Sequence, residues 1–396
     1  MLHVTLKSGR EKPLLQGHPW VFSGAIEREP KHAPGGSLVN VLAEDGRFLG
    51  RGYYNSKSQI RVRLLTRSEG ERVDTQFWRQ RIDAACKRRS ELLAQPGQTA
   101  ARLVMSETDL LPGLIVDRYG DYLVLQSLTA GIDARMGDII EALRIVCRPQ
   151  GIIERSDDSV RELEGLGSRS GLVYGDLPPN GQVAIQENGV VYLVDLLAGH
   201  KTGYYLDQRQ NHQIVRGLAR DREVLDCFSF TGGFTMAAAA GGARSVTSVD
   251  QSADALARLR DNLSLNHFDE ANFSALHGDA FQILRSLVQE GRQYDLVVMD
   301  PPKFAANAGH VQRAARGYKD LNLQAFKLLR PGGYLATYSC SGHMSPDLFQ
   351  KIIFSAAMDA GREAHILKWM NQADDHPVLL SFPESHYLKG LLCRCL

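Results

Sequence analysis

From about residue 222 onward the chain alternates short apolar runs with helical segments. No other feature restricts the fold as strongly. "EVLDCF" reads as a strand, and "TGGFTMAAAAGG" opens a helix after a glycine-rich turn. "SVTSVD" is a strand followed by a helix from Ser252 to about Asn266. "FSALHG" and "YDLVVMDPP" are strands, with a helix over 280–290 between them. A loop and a helix ending at Arg330 lead to "GYLATYSC". Ser345-Pro346 then suits a helix start, because Ser caps well and Pro fits the first helical position. "HILKWM" and "YLKGLLCRCL" read as two final strands. Successive strand-helix units imply a doubly wound, mostly parallel α/β sheet over residues 186–396.

The rest of the chain needs other domains. At 396 residues with 43% hydrophobic content it exceeds one ordinary domain. Residues 1–72 carry short alternating runs such as "SLVNVLAE" and "SQIRVRLLT" between Gly-containing turns, the pattern of a small β-barrel. Arg61 and Arg63 share one face of a strand there, since side chains alternate with period two. That face reads equally as a phosphate-contacting surface or as a charged edge that resists aggregation. Residues 73–185 read as a central α+β domain: an amphipathic helix over 74–95, a hairpin around Asp117–Asp121, a helix near 133–147 and a strand at "GIIERSD".

Composition excludes several classes. Lys plus Arg is 46 against 45 Asp plus Glu, so no global basic field exists and nucleic-acid binding needs local patches. The six cysteines form no C-x-x-C pair, so no metal site is expected and the thiols read as reduced and cytoplasmic. The N-terminus lacks a signal-peptide apolar region, and no apolar stretch is long enough to span a membrane.

In a doubly wound sheet, ligands sit outside the carboxyl ends of the strands. The first strand ends in Asp226-Cys227-Phe228-Ser229-Phe230-Thr231-Gly232-Gly233, which is not the G-x-G-x-x-G dinucleotide fingerprint. Asp250 ends the second strand, where an acid can accept from a ribose diol. Asp279 follows the third, where a carboxylate can accept from an adenine amino group. Asp300-Pro301-Pro302-Lys303 follows the fourth. Singly, each acid reads as a helix N-cap. As an ordered set they resemble the class I S-adenosylmethionine-dependent methyltransferases, over about 186–396.

That resemblance implies a Rossmann-like methyltransferase sheet with S-adenosylmethionine as cofactor. It places the methionine part at the first turn (Asp226, Phe228, Thr231, Gly232), the ribose at Asp250, the adenine at Asp279, and further contacts at Asp300 and Pro301. "GHKTGYYLDQR" (199–209) precedes the first strand and reads as a lid formed by Lys201, Tyr204, Asp207, Gln208 and Arg209, or else as a surface hairpin.

Methylases of exocyclic base amines follow the Pro-Pro turn with an aromatic residue, whereas this chain has Lys303 and then Phe304. Cys340 ends the fifth strand, which in this fold neighbours the fourth. A thiolate there can add to carbon 6 of a pyrimidine and make carbon 5 nucleophilic, a covalent route that divides a difficult step. Such a thiol needs a nearby cation, and Lys303 and His343 are candidates by position. Asp300 can bind the base edge or take the carbon-5 proton. The segment 303–319 reads as a long loop gripping RNA through Lys303, Arg313, Arg316 and Lys319, with a solvated loop as the plain reading.

Finally, "LKSGREKPLLQGHPWVFSGAIE" with "GRFLGRGYYNSKSQIRVRLLT" resembles an RNA-binding PUA domain. "FSFTGGF", "MDPPKF", "RGYKDLN" and "SCSG" complete a near end-to-end resemblance to the large-subunit ribosomal RNA cytosine-5 methyltransferase I family. It implies methylation of one cytosine in 23S rRNA, free or in a large-subunit precursor, with Cys340 as nucleophile. Oligomeric state stays open, a homodimer included. The alternatives are a methyltransferase for an exocyclic amine or a guanine with a structural Cys340, a non-catalytic RNA-binding module, and, more distantly, an NAD-dependent dehydrogenase.

Overall fold

The structure is a computed structural model that describes residues 1–157, 159–199, 201–305 and 307–396. His200 and Ala306, inside two of the segments singled out above, lie outside the described residues. The chain forms two compact units. One comprises Met1–Gln186, Val194–Leu206 and Asp375–Ser385; the other comprises Glu187–Leu193, Asp207–Asp374 and His386–Leu396.

The first unit contains two sheets. One is six-stranded and mixed, in the order Trp20–Phe22, Ile60–Thr66, Phe48–Tyr54, Ser37–Leu42, Leu2–Leu6, Ile26–Arg28. It is the strand-rich region expected as a barrel, and its pair Leu2–Leu6 and Ser37–Leu42 runs parallel. The other is five-stranded: Arg169–Gly175, Gly151–Ser156, Tyr122–Ser127, Leu114–Tyr119 and Ala100–Met105. The hairpin expected around Asp117–Asp121 is present in it. Helices Thr75–Lys87 and Met136–Cys147 pack together and place the sulfurs of Cys86 and Cys147 3.6 Å apart.

The second unit is the expected α/β layer. Its strands are β1 (Glu223–Cys227), β2 (Ser245–Asp250), β3 (Phe273–His277), β4 (Tyr294–Met299), β5 (Leu329–Ser339), β6 (Ala364–Asn371) and β7 (Lys389–Cys395). The helices between them are α1 (Gly233–Ala240), α2 (Ala253–Leu265), α3 (Ala280–Gln289), α4 (Val311–Leu328) and α5 (Pro346–Asp359). The sheet order is β3-β2-β1-β4-β5-β7-β6, with β1 to β5 parallel and β7 antiparallel to both neighbours. Central strands covered on both faces need apolar side chains throughout. β4 meets that need with Leu296, Val297, Val298 and Met299, all without exposure. Strand order reverses between β1 and β4, so the crevice outside their carboxyl ends is the place for a ligand.

One expectation fails here. The 303–319 loop is mostly helix, because α4 begins at Val311 and carries Arg313, Arg316 and Lys319 on its first turns. Gly317, read as a loop residue, lies inside that helix. A Cβ added there would meet the Phe304 ring at 3.5 Å, an ordinary contact, so the packing of the helix does not require glycine.

Candidate functional site at the carboxyl edge of the parallel sheet

The turn after β1 is held in a shape ordinary residues avoid. Phe228 and Phe230 have φ of 64° and 48°, and Gly232 has φ of 93°. Non-glycine residues in this region cost about 1 kcal/mol or more each, so surrounding contacts must enforce it. Those contacts are visible. The Phe228 and Ser229 N–H groups donate to the Val249 carbonyl (2.8 and 3.1 Å), and the Phe230 N–H donates to Asp250 Oδ2 (2.8 Å). Asn262 of α2, fully buried, donates to the Thr231 carbonyl at 2.9 Å. A Cβ on Gly232 would meet Leu259 Cγ at 2.9 Å. The backbone is thus pinned from three sides.

Three carboxylates gather at this edge. Asp226 is 1% exposed; its Oδ2 accepts from Thr235 Oγ1 (2.7 Å), while its Oδ1 has no partner among the described residues. Burial pushes its pKa up to about 7, offset in part by the Thr235 hydrogen bond, with Asp250 adding repulsion. Asp300 is also pushed up to about 7, first by burial and then by the Asp207 carboxylate, with Asp226 adding to it. Gln208 Nε2 donates to Asp300 Oδ2 at 3.0 Å. Asp207 Oδ2 accepts from the Tyr387 hydroxyl at 2.7 Å. Buried acids crowded together, one with an orphaned oxygen, favour a cationic ligand. S-adenosylmethionine carries an ammonium and a sulfonium, so the residues fit it.

The remaining candidates divide. Asp250 uses both oxygens on backbone N–H groups, of Phe230 and of Ser252 (2.8 Å each), and a carboxylate keeps lone pairs beyond these. Asp279 is exposed and caps α3 through the Gln282 N–H (3.1 Å). Arg209 is buried near Glu187, 3.8 Å away. Lys201 and Tyr204 of the expected lid belong to the first unit. There Lys201 lies over the Tyr205 ring (5.1 Å), and the Tyr204 N–H donates to the Tyr119 hydroxyl (3.2 Å).

Around Cys340 the geometry is specific. Cys340 is half-buried, one residue past the end of β5, while Pro301 is buried at the turn after β4. Its neighbours in sequence fix it. Ser341 Oγ accepts from the Ala305 N–H (3.3 Å) and lies 3.2 Å from the Tyr318 hydroxyl, which in turn accepts from Ser339 Oγ (2.9 Å). Three segments are thereby joined: the loop after Asp300-Pro301-Pro302, the helix α4 and the Ser-Cys-Ser turn. Sequence reasoning missed the cation here. Lys389, 4% exposed at the start of β7, donates from Nζ to the Ser341 carbonyl at 2.7 Å. Lys303 and His343, the candidates by position, are both exposed. A lone buried Lys in "YLKGLLC" is the only sequence signal for Lys389, and it needs the β5–β7 register to be read.

The arginine expectations need correction at one point. Arg63 is buried, not on an open phosphate-contacting face. It pairs with Glu107 (2.9 Å) and Glu164 (3.2 Å) and lies over the Trp20 ring. Arg61 is half-buried, donating to the Ser58 carbonyl and facing Glu29 at 3.4 Å. Lys303, Arg313 and Arg316 are exposed, and Lys319 pairs with Asp359 at 2.7 Å. No group of three or more His, Cys, Asp or Glu among the described residues could hold a metal, and no described helix is long and apolar enough to cross a membrane.

Comparison with known proteins gives the family. Residues 173–394 match the S-adenosylmethionine-dependent methyltransferase family, and residues 4–67 match a PUA-like domain. The ribosomal RNA large subunit methyltransferase I of Aeromonas salmonicida is 47% identical over 391 residues, covering 99% of this chain and 98% of its own. Among solved structures, a protein from Streptococcus mutans named as a candidate SAM-dependent methyltransferase superposes with a TM-score of 0.86 at 25% identity, over 100% of both chains. A second such methyltransferase, solved in complex with SAH, gives 0.88 at 25% identity, again over 100% of both. By its residues, its sheet and these matches, the chain belongs to the S-adenosylmethionine-dependent methyltransferases, in the ribosomal RNA large subunit methyltransferase I family.

Proposed function

We propose that the protein methylates carbon 5 of a cytosine in large-subunit ribosomal RNA, with Cys340 as a covalent nucleophile. The substrate class rests on the relatives' names, and the base on the chemistry available at the site. The observation that carries the reading is the placement of Cys340, clasped to the loop after Asp300-Pro301-Pro302 through Ser341, Ala305 and Tyr318.

The residues divide the work as follows. Asp226 and the Asp207–Gln208 pair receive the cofactor's cationic part, Asp250 its ribose and Asp279 its adenine. Bound S-adenosylmethionine supplies an electrophilic methyl group. The Cys340 thiolate adds to carbon 6 of the ring. Asp300, near-neutral in pKa, donates a proton to ring nitrogen 3 as charge develops there. Carbon 5, now nucleophilic, takes up the methyl group. S-adenosylhomocysteine is the leaving group; the carbon-5 proton then passes to water, the nitrogen-3 proton returns to Asp300, and expulsion of the Cys340 thiolate restores the cytosine ring. Lys303, Arg313 and Arg316 grip phosphates, and residues 1–72 act as the RNA-binding PUA part ahead of a central domain (73–185) and the catalytic domain (186–396).

The test is Cys340→Ala on unmodified large-subunit RNA, with the modified base mapped. S-adenosylmethionine binding should persist while transfer is lost. Full retention of transfer, or a methyl group on an exocyclic amine or a guanine, would sink the thiol mechanism.

A further inference from the structure

We infer that Lys389 is a positioning residue that holds the Cys340 thiol in its reactive, ionised form. The inference rests on the reading of Cys340 as nucleophile. It starts from a buried charge. Lys389 stands in register with Ser339 on one side and Asn371 on the other, in the interior of the sheet. An ammonium only 4% exposed loses most of its hydration, and such groups are retained when paired or functional. It donates a hydrogen bond to the Ser341 carbonyl, 2.7 Å away and one residue from Cys340. A carboxylate would satisfy this charge better, yet no ion pair links Lys389 to one among the described residues.

The groups that face this pair are few. Tyr318 approaches from α4, bonded to Ser339 and Ser341, and its hydroxyl is raised by burial above its ordinary pKa and stays neutral. His386 lies before β7, and Lys389 and burial both hold its pKa down. Lys389 itself is pushed down to about 8 by burial, with Cys340 acting against that shift. The ammonium and a thiolate at Cys340 therefore stabilise each other. At neutral pH the lysine is charged, and its field favours thiolate over thiol. The same strand that buries the charge also fixes it on the carbonyl of the residue after Cys340, so no mobile side chain must find this turn first.

The experiment reads the thiol directly and does not depend on the RNA substrate. Cys340 alkylation by iodoacetamide is followed against pH in the full-length protein by peptide mass spectrometry. In the native chain the labelling midpoint should fall below the ordinary thiol value of about 8.5. In Lys389→Met the midpoint should rise by about one unit or more, cutting labelling at pH 7 about tenfold. Lys389→Arg should restore much of the loss, and methyl transfer should follow the same pH shift. A native midpoint at or above the ordinary value overturns the inference without any variant. So does an unchanged midpoint in folded Lys389→Met. If Cys340→Ala keeps its activity while the midpoint still shifts, the nucleophile reading fails but the tuning of the thiol stands.

Discussion

Asp226→Asn should make the catalytic unit more stable and the cofactor site worse. Asp226 is sealed from solvent, its Oδ1 has no partner among the described residues, and its pKa rises from 3.8 to about 7. The sign follows from linkage. Between about pH 4 and 7 the folded chain holds a proton that the unfolded chain has released, so stability falls as pH rises through that window. A shift of about three units corresponds to about 4 kcal/mol at pH 8; sharing with the adjacent Asp300 lowers this to about 2–4 kcal/mol. Asparagine keeps the acceptor for Thr235 and never ionises, so the variant escapes this penalty. Urea unfolding of the full chain at pH 5 and 8, read by exchange protection of β1 amides, measures the difference. The native protein should lose stability between the two pH values, and the variant should lose about half as much, because Asp300 still titrates over the same range. Titration calorimetry should show S-adenosylmethionine binding weakened about tenfold or more, since a charge-assisted hydrogen bond is lost. Equal pH dependence in both proteins, or undiminished cofactor affinity, would refute the reasoning.

Two further outcomes are expected. Gly232→Ala should weaken S-adenosylmethionine binding and lower stability by about 1–3 kcal/mol, because φ of 93° and a Leu259 contact at 2.9 Å both oppose a Cβ; calorimetry and melting check this. Arg63→Met should destabilise the first unit by about 3–5 kcal/mol, since Glu107 and Glu164 are left as buried unpaired acids, and the loss should show in thermal melts before any RNA is added.

The parallel sheet was legible because central strands must be apolar and helices amphipathic, and both patterns are local. The positions of Asp226, Asp250 and Asp300 at the carboxyl ends of strands were legible for the same reason, since strand ends can be read from the strands. Arg63 was misread although its face was placed correctly. Which face is buried depends on Glu107 and Glu164, far away in sequence. Lys389 was missed because its meaning lies in an antiparallel register with β5, 48 residues from the Ser341 carbonyl it touches. The start of α4 was misplaced because its early turns carry Gly317, a weak helix former.

The position of β7 has a consequence for the timing of assembly. It is the last of the seven strands in sequence, yet it is inserted between β5 and β6. During synthesis β1 to β5 can pair as they emerge, but β5 keeps an open edge until residue 389 and beyond leave the ribosome. Until then the Ser-Cys-Ser turn has its sulfur but not its cation. A chain still on the ribosome therefore lacks the hydrogen bond from Lys389 to the Ser341 carbonyl until its last strand is out, and the turn after β5 is the last part of this edge to be tied down.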